Sequence, residues 1–318
     1  MRILHLDAGY QMRGGQWQVL RLLEGLAGSG VECTLLARRS APLFEAARHR
    51  GLRVEPLGVA RAAKLARAHD LAHAHDARSH TIAAVVGGAP LVVARRVAFP
   101  IGGAEFRVNG SPAGLGRRAS AWKYGRPERY IAVSEFVRSV LRAGGVPEER
   151  ISVIYDSVPV FPLTVRENME STHPARVLAP ANLADPRKGA SLAIEASQRA
   201  GAPVQLSTDL ERDLPGATLF LYITHCEGLG SAVLLAMSAG VPVIASDTGG
   251  LREAIQHREN GMLVENTPEA IGVAIRELLD NRDFAARIAA NGRQTVLERF
   301  TVERMVRRTI DVYRQVLA

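Results

Sequence analysis

The apolar positions along residues 1–95 keep two alternating rhythms. Ile3, Leu4 and Leu6 form a short run that predicts a buried strand, and a turn follows at Gly14-Gly15. Val19, Leu22, Leu23 and Leu26 then recur at helical spacing until Gly28 and Gly30 end the helix. Residues 32–37 read as the next strand and 41–50 as the next helix, and the alternation continues to residue 95. A βαβα rhythm of this kind predicts a parallel sheet with helices on both faces. Residues 99–129 break it: Gly102-Gly103, Gly110, Pro112, Gly114 and Gly116 are interspersed with Arg107, Arg117, Arg118, Lys123, Arg126 and Arg129, which predicts a long basic loop and a basic segment. The rhythm resumes with a strand at 130–134, a helix at 135–142 and a strand at 151–154.

Pro159, Pro162 and Pro174, with polar residues between them, read as an interdomain linker over 157–174. A second βα series starts at Arg176, with strands at 177–181, 204–207, 219–223, 241–245 and 262–264. Val302, Met305, Val306, Thr309, Val312, Tyr313 and Val316 then mark an amphipathic terminal helix.

Composition narrows the class. A chain of 318 residues has room for two domains with their own cores. With 47% hydrophobic and 23% charged residues it is globular rather than disordered. No apolar run is long enough to span a bilayer, and residues 1–7 do not read as an export signal, so the expected location is cytoplasmic. Cys33 and Cys226 are too far apart for a metal or redox motif. The net charge of +8 is carried almost wholly by arginine, since Lys64, Lys123 and Lys188 are the only lysines. That charge reflects either genome composition or an anionic partner, such as a substrate or a membrane face. Nucleic acid is not expected, because no finger motif occurs and aromatics are only 5% of the chain.

In open parallel sheets ligands bind beyond the carboxyl ends of the strands, so chemistry is sought there. Gly14-Gly15 opens a helix, where backbone N–H groups favour phosphate; a plain tight turn is the other reading. His73-Ala74-His75-Asp76 lies at a strand end. Its histidines could be ligands, acid–base groups, donors to an oxygen or merely satisfied polar residues, and no third metal ligand lies near them along the chain. Asp185-Pro186-Arg187-Lys188-Gly189 sets two cations on a strand–loop–helix turn, suited to a diphosphate or simply solvated. Glu227-Gly228-Leu229-Gly230-Ser231 places a carboxylate at a strand end beside glycines that admit a ligand to the backbone. Val233 stands where the dinucleotide fingerprint needs its third glycine. Neither a G-x-S-x-G elbow nor a D-x-D pair occurs, so a hydrolase triad and a carboxylate-held metal lack support.

The run from Glu227 through Leu235 and Gly240-Val241-Pro242-Val243-Ile244-Ala245-Ser246 to Thr248-Gly249-Gly250-Leu251-Arg252-Glu253 resembles the donor-binding signature of the family-four retaining glycosyltransferases. Asn260-Gly261-Met262-Leu263-Val264, residues 130–135 and residues 299–305 extend the resemblance over nearly the whole chain. It implies an α/β fold of two facing Rossmann-like domains (GT-B). The expected domains are 1–158, acceptor-binding and covered by a helix at 301–318 that crosses back, and 174–300, donor-binding. It further implies a retaining, metal-independent transfer from a nucleotide-sugar, which is a substrate, with no cofactor. By position, His75, Glu227 and Lys188 become the expected catalytic residues. Gly14, Gly15, Asn182, Arg187, Lys188, Glu227, Gly228, Leu229, Gly230, Ser231 and Leu235 become the expected donor contacts.

Three positions depart from the family pattern. Leu235 stands where a second glutamate usually binds the ribose, a bond worth roughly 1–3 kcal/mol if its partner were left buried and unpaired. Ala181-Asn182 replaces the usual glycine–arginine, and the stretch from 204 to 219 lacks room for a further βα unit. These departures keep open a second reading, a catalytically impaired sugar- or nucleotide-binding relative acting as a partner subunit. For the acceptor, Arg95, Arg96, Lys123 and Tyr124 are the candidates. Their charge suggests an anionic lipid-linked or saccharide acceptor and peripheral contact with the inner face of a membrane.

Overall fold

A computed structural model describes residues 1–101, 113–162, 175–181, 183 and 185–318. The chain divides into two compact units, one of Met1–Asp156 with Val302–Ala318, the other of Ser157–Thr301.

The first unit runs β1 (Arg2–Asp7), α1 (Gly14–Ala27), β2 (Glu32–Ala37), α2 (Pro42–His49), β3 (Val54–Pro56), α3 (Val59–Ala66), β4 (Leu71–Ala74), α4 (Ala77–Val86), β5 (Leu91–Arg95), α5 (Ala113–Gly125), β6 (Arg129–Ala132), α6 (Glu135–Ala143) and β7 (Ile151–Val153). Its seven parallel strands lie in the order β3-β2-β1-β4-β5-β6-β7. The central strands are covered on both faces, which is why β1, β4 and β5 are buried almost throughout rather than alternating. The order reverses between β1 and β4, and in open parallel sheets ligands bind beyond the carboxyl ends of the strands at such a reversal.

The basic loop expected over residues 99–129 is in part helix, since α5 occupies Ala113–Gly125. Glycines at 114 and 116 weaken the helical signal. Burial supplies the missing stability, because Ser120, Lys123 and Tyr124 are enclosed and the His80 ring meets Tyr124 edge-on. The glycines and arginines between 102 and 112 lie outside the described residues.

The second unit runs β8 (Val177–Pro180), α7 (Ala190–Arg199), β9 (Val204–Ser207), α8 (Leu210–Asp213), β10 (Leu219–Tyr222), α9 (Ser231–Ser238), β11 (Val243–Ser246), α10 (Leu251–Ala254), β12 (Met262–Val264), α11 (Pro268–Asp280) and α12 (Arg282–Arg299). Five parallel strands take the order β12-β11-β10-β8-β9, and here the reversal falls between β8 and β10. The core joins Val177, Leu219, Leu221, Ile244 and Met262 of the sheet to Ile271, Ile275 and Ile288 of the helices. The first described residues of the proline-rich stretch are fastened to this unit. Val158 bridges Thr301, Phe161 N–H bonds Ser238 Oγ, and Arg293 donates to the Phe161 carbonyl at 2.6 Å.

Helix α13 (Val302–Leu317) returns to the first unit. Met305, Val306, Val312 and Tyr313 share a core with Ile3, Leu22, Leu26 and Leu71. Close approach is permitted by Gly25 on α1, where a Cβ would fall 2.4 Å from Val306 Cγ2. Gly25→Val is therefore expected to lower stability by about 1–3 kcal/mol through overpacking, read as a fall in the urea midpoint. An unchanged midpoint would show that α13 does not pack this tightly.

Candidate functional site

In the second unit, the loops after β8 and β10 meet at the reversal of strand order. Lys188 ends a short turn at Pro186–Lys188, and Gly189 behind it has φ +54°. Lys188 Nζ donates to Glu227 Oε2 at 2.7 Å and lies 3.3 Å from Tyr222 Oη. Tyr222 donates to the same Glu227 oxygen, and Gly228 N–H donates to Glu227 Oε1 at 3.0 Å. Burial first, then the Glu227 charge and its hydrogen bond, hold the Tyr222 phenol well above its ordinary range. It thus remains an O–H donor at neutral pH. The side chains of Lys188 and Glu227 keep 28% and 15% of their surface open, so both are reachable by a ligand.

The loop that carries Glu227 is clamped. Gly250 N–H bonds the Glu227 carbonyl at 3.2 Å, and a Cβ on Gly250 would sit 1.9 Å from the Gly228 oxygen. His225 N–H bonds the Arg187 carbonyl at 2.8 Å, tying the two loops together. Gly228, Leu229 and Gly230 are buried and lead into α9, which starts at Ser231. Leu235 on α9 is buried among apolar residues. Arg187 grips Asp185 with Nε and Nη2, both at 2.8 Å. That guanidinium holds the Asp185 carboxyl down at about 2. Asn182 lies outside the described residues.

In the first unit, Asp76 caps α4 by accepting from Arg78 and Ser79 N–H, and its other oxygen accepts from Ala8 N–H at 2.6 Å. This pins the loop after β1 to the end of β4. Asp7 accepts from Gly9 N–H and Gln16 Nε2; burial, then the Asp76 charge, raise its carboxyl to about 6. His75 is buried, with Nε2 2.9 Å from His5 Nδ1 and Nδ1 3.5 Å from Arg96 Nη1. The same Arg96 Nη1 donates to the His75 carbonyl at 3.4 Å. Arg96 is in turn paired with Asp156 at 3.1 Å. Beside this pair, His73 Nδ1 lies 2.6 Å from Tyr313 Oη of α13. Burial is the chief cause that keeps these three histidines neutral: His5 is pushed down to about 3, and His73 and His75 fall well below their usual range.

Along the chain His73 and His75 lack a third partner; across the sheet His5 supplies it, because the β1–β4 register sets His5 opposite His73. One nitrogen of each of the three lies within 4.8 Å of the others, close enough to hold a metal ion or to form a hydrogen-bonded string. The sequence reading missed His5, Tyr313 and Tyr222. Each is a partner across a sheet or from a distant helix, and no local motif marks it.

Gly14 and Gly15 begin α1 as expected; the atom nearest a Cβ on Gly15 would be Arg96 Cδ at 3.7 Å. The acceptor candidates fare differently. Arg95 donates to Tyr124 Oη at 2.8 Å, Lys123 Nζ to the Ala77 carbonyl at 2.9 Å, and Tyr130 to the Tyr124 carbonyl. All of Arg95, Lys123 and Tyr124 are buried, so their polar ends are directed into the fold rather than toward a ligand, and Arg96 is committed to His75 and Asp156.

Residues 190–295 match the model for glycosyl transferases group 1, and residues 12–160 match that for Glycosyltransferase Family 4. Over 89 residues, 28% of the chain, it is 37% identical to a GDP-mannose-dependent alpha-(1-6)-phosphatidylinositol monomannoside mannosyltransferase of Mycobacterium tuberculosis. Over 111 residues, 35% of the chain, it is 32% identical to a D-inositol 3-phosphate glycosyltransferase of a Nocardioides species. These matches span 23% and 24% of the two relatives' lengths. The crystal structure of Anabaena Alr3699/HepE in complex with UDP and glucose has the same fold, with a TM-score of 0.83 at 18% identity, covering 99% of this chain and 100% of that one.

Proposed function

The chain belongs to the glycosyltransferases of group 1 and family 4, and from that premise we propose that it moves a glycosyl group from a nucleotide-diphosphate sugar to a hydroxyl acceptor. The observation that carries this reading is the Lys188–Glu227–Tyr222 cluster at the carboxyl ends of β8 and β10, beside the glycine turn that opens α9. Lys188 neutralises the diphosphate as it departs, helped by backbone N–H groups of 228–231. Arrival of the donor draws Lys188 from Glu227 to phosphate, which frees the carboxylate for sugar hydroxyls. His75 is buried and neutral with its ring nitrogens toward His5 and Arg96, so it is not proposed as an acid, and any contact of it with the sugar or its phosphate requires the Arg96 contact to give way.

The proposed transfer is retaining. The bond from the anomeric carbon to the phosphate oxygen breaks, the acceptor oxygen bonds the same face of that carbon, and its proton passes to the departing phosphate oxygen. It is also proposed to be metal-independent, so that addition of a chelator leaves the rate unchanged. Cations and oriented N–H groups take the leaving-group charge, and Arg96 beside His75 disfavours a further cation there.

Titration with UDP, GDP, ADP, CDP and TDP, followed by thermal shift and calorimetry, tests the donor site. Ligand at a hundred times its dissociation constant stabilises the fold by about 2.7 kcal/mol. No response to any of the five by folded protein would favour the impaired-relative reading. Gly15 offers a separate check. Since the fold leaves room for a Cβ there, Gly15→Ala is expected to keep the melting temperature and lower transfer tenfold or more if the donor packs on that backbone. Unaltered transfer would remove Gly15 from the donor contacts.

A further inference from the structure

Four arginines follow the carboxyl ends of three adjacent strands: Arg13 after β1, Arg38 and Arg39 after β2, and Arg78 after β4. Two of them converge on one side chain. The Arg38 guanidinium carbon lies 4.0 Å from the centre of the Tyr10 ring and that of Arg78 5.0 Å from it, while the ring is 57% exposed. Several other surface arginines take carboxylates, among them Arg2 with Asp70, Arg61 with Glu55 and Arg252 with Asp247, and where two arginines gather on Trp17 or on Phe284 one of each pair, Arg50 or Arg258, is held by a glutamate. Among the described residues, neither Arg38 nor Arg78 does so. The nearby acids are turned inward, Asp76 onto three backbone N–H groups and Asp7 onto Gly9 and Gln16.

Two guanidiniums gathered on one ring repel each other unless an anion joins them. The ring offsets part of that cost by cation–π attraction and holds both forks in place. Arg38 is further fixed by donating Nε to the Ala8 carbonyl at 2.8 Å, which leaves its two terminal nitrogens as donors. Their location, beside the reversal of strand order between β1 and β4, is where open sheets bind ligands.

We propose that Arg38, Tyr10 and Arg78 form a binding site for a phosphate group, the charged end of the acceptor. Planar guanidiniums recognise phosphate oxygens in bidentate fashion, and the Tyr10 hydroxyl adds a third donor. The acceptor assignment rests on the glycosyl-transfer reading; the anion site rests on the arginines alone. It replaces Arg95, Lys123 and Tyr124, whose polar ends are spent within the fold.

The test uses the full chain at fixed low ionic strength. Calorimetry with inorganic phosphate and glycerol 3-phosphate is compared among wild type, the double variant R38A/R78A, Tyr10→Leu and the control Arg61→Ala. Flotation with phosphatidylglycerol–phosphatidylcholine vesicles forms a second arm, with phosphatidylcholine vesicles as blank. The expected result is binding by wild type and the control, weakened at least tenfold in R38A/R78A and in Tyr10→Leu. Parallel loss of vesicle binding in those variants assigns the phosphate to a lipid headgroup; loss confined to glycerol 3-phosphate assigns it to a soluble acceptor. Failure of wild type to bind any of these probes, or equal binding by R38A/R78A, overturns the site. UDP titration of R38A/R78A separates the two readings. Phosphate binding lost with UDP binding kept supports the site. Absence of UDP binding in wild type with phosphate binding kept removes the donor reading and leaves the anion site standing.

Discussion

Replacement of Lys188 by alanine leaves the chain folded and lowers transfer by about 10²–10³-fold, the usual loss when one preorganised donor to a developing anion is removed. Folding survives because Glu227 retains two donors, the Tyr222 hydroxyl and the Gly228 N–H, and stays partly open to water. Rate falls because, among the described residues of this loop, the neighbouring cation Arg187 is held by both Asp185 oxygens. Nucleotide affinity should fall with the rate, since the same ammonium meets the diphosphate before and after bond cleavage. Release of nucleoside diphosphate from the donor identified by titration provides the assay. Lys188→Arg is not expected to restore it, because a planar fork replaces a compact ammonium in a site bounded by Tyr222 and Glu227. Wild-type turnover by Lys188→Ala would withdraw the leaving-group role from this residue.

The second large effect concerns acid. His5, His73, His75 and His80 are buried and neutral in the folded first unit, and each regains its ordinary pKa near 6.5 on unfolding. A lowered folded value means stability that is fully present above pH 6.5 and lost as pH falls toward the folded value, about 3 for His5 and His80. Asp7 acts in the opposite sense: raised to about 6, it adds stability as pH falls from there toward its unfolded value. Four histidines set against one carboxyl leave a net uptake of roughly three protons on unfolding near pH 5.5, a slope on the order of 4 kcal/mol per pH unit. That is a large part of a domain's total stability. Urea unfolding at pH 7.5, 6.5 and 5.5 checks it, with the loss expected in the unit that holds β1, β4 and α13. A flat profile would show that these imidazoles are solvated or otherwise compensated.

Much of this was legible in the order of residues. The βα alternation, the glycine turns and the amphipathic terminal helix are local patterns, and the parallel sheets follow from them; the return of that helix to the first unit is legible only through the family resemblance. Lys188 and Glu227 were singled out separately, and the sheet order brings them within 2.7 Å because β8 and β10 are neighbours. What could not be read depends on partners far along the chain. His5 meets His75 only through the β1–β4 register, and Tyr313 reaches His73 across 240 positions. Charge alone does not tell a buried arginine or lysine from an exposed one. Arg95 and Lys123 are as basic in sequence as Arg38 and Arg78, yet enclosure by α4 and α5 turns the former inward. The turn at residues 8–13 leaves Arg38 and Arg78 against Tyr10.

The return of α13 has a consequence for how the protein is made. Residues 157–301 form one uninterrupted unit and can fold as soon as they leave the ribosome. The earlier unit cannot finish then, because Met305, Val306, Val312 and Tyr313 are part of the core around Ile3, Leu22 and Leu71. Its seven-stranded sheet waits, with the apolar face meant for α13 uncovered, until some 150 further residues have been translated. A premature stop just after residue 301 would release a chain whose later half is finished and whose earlier half is exposed to chaperones and proteases.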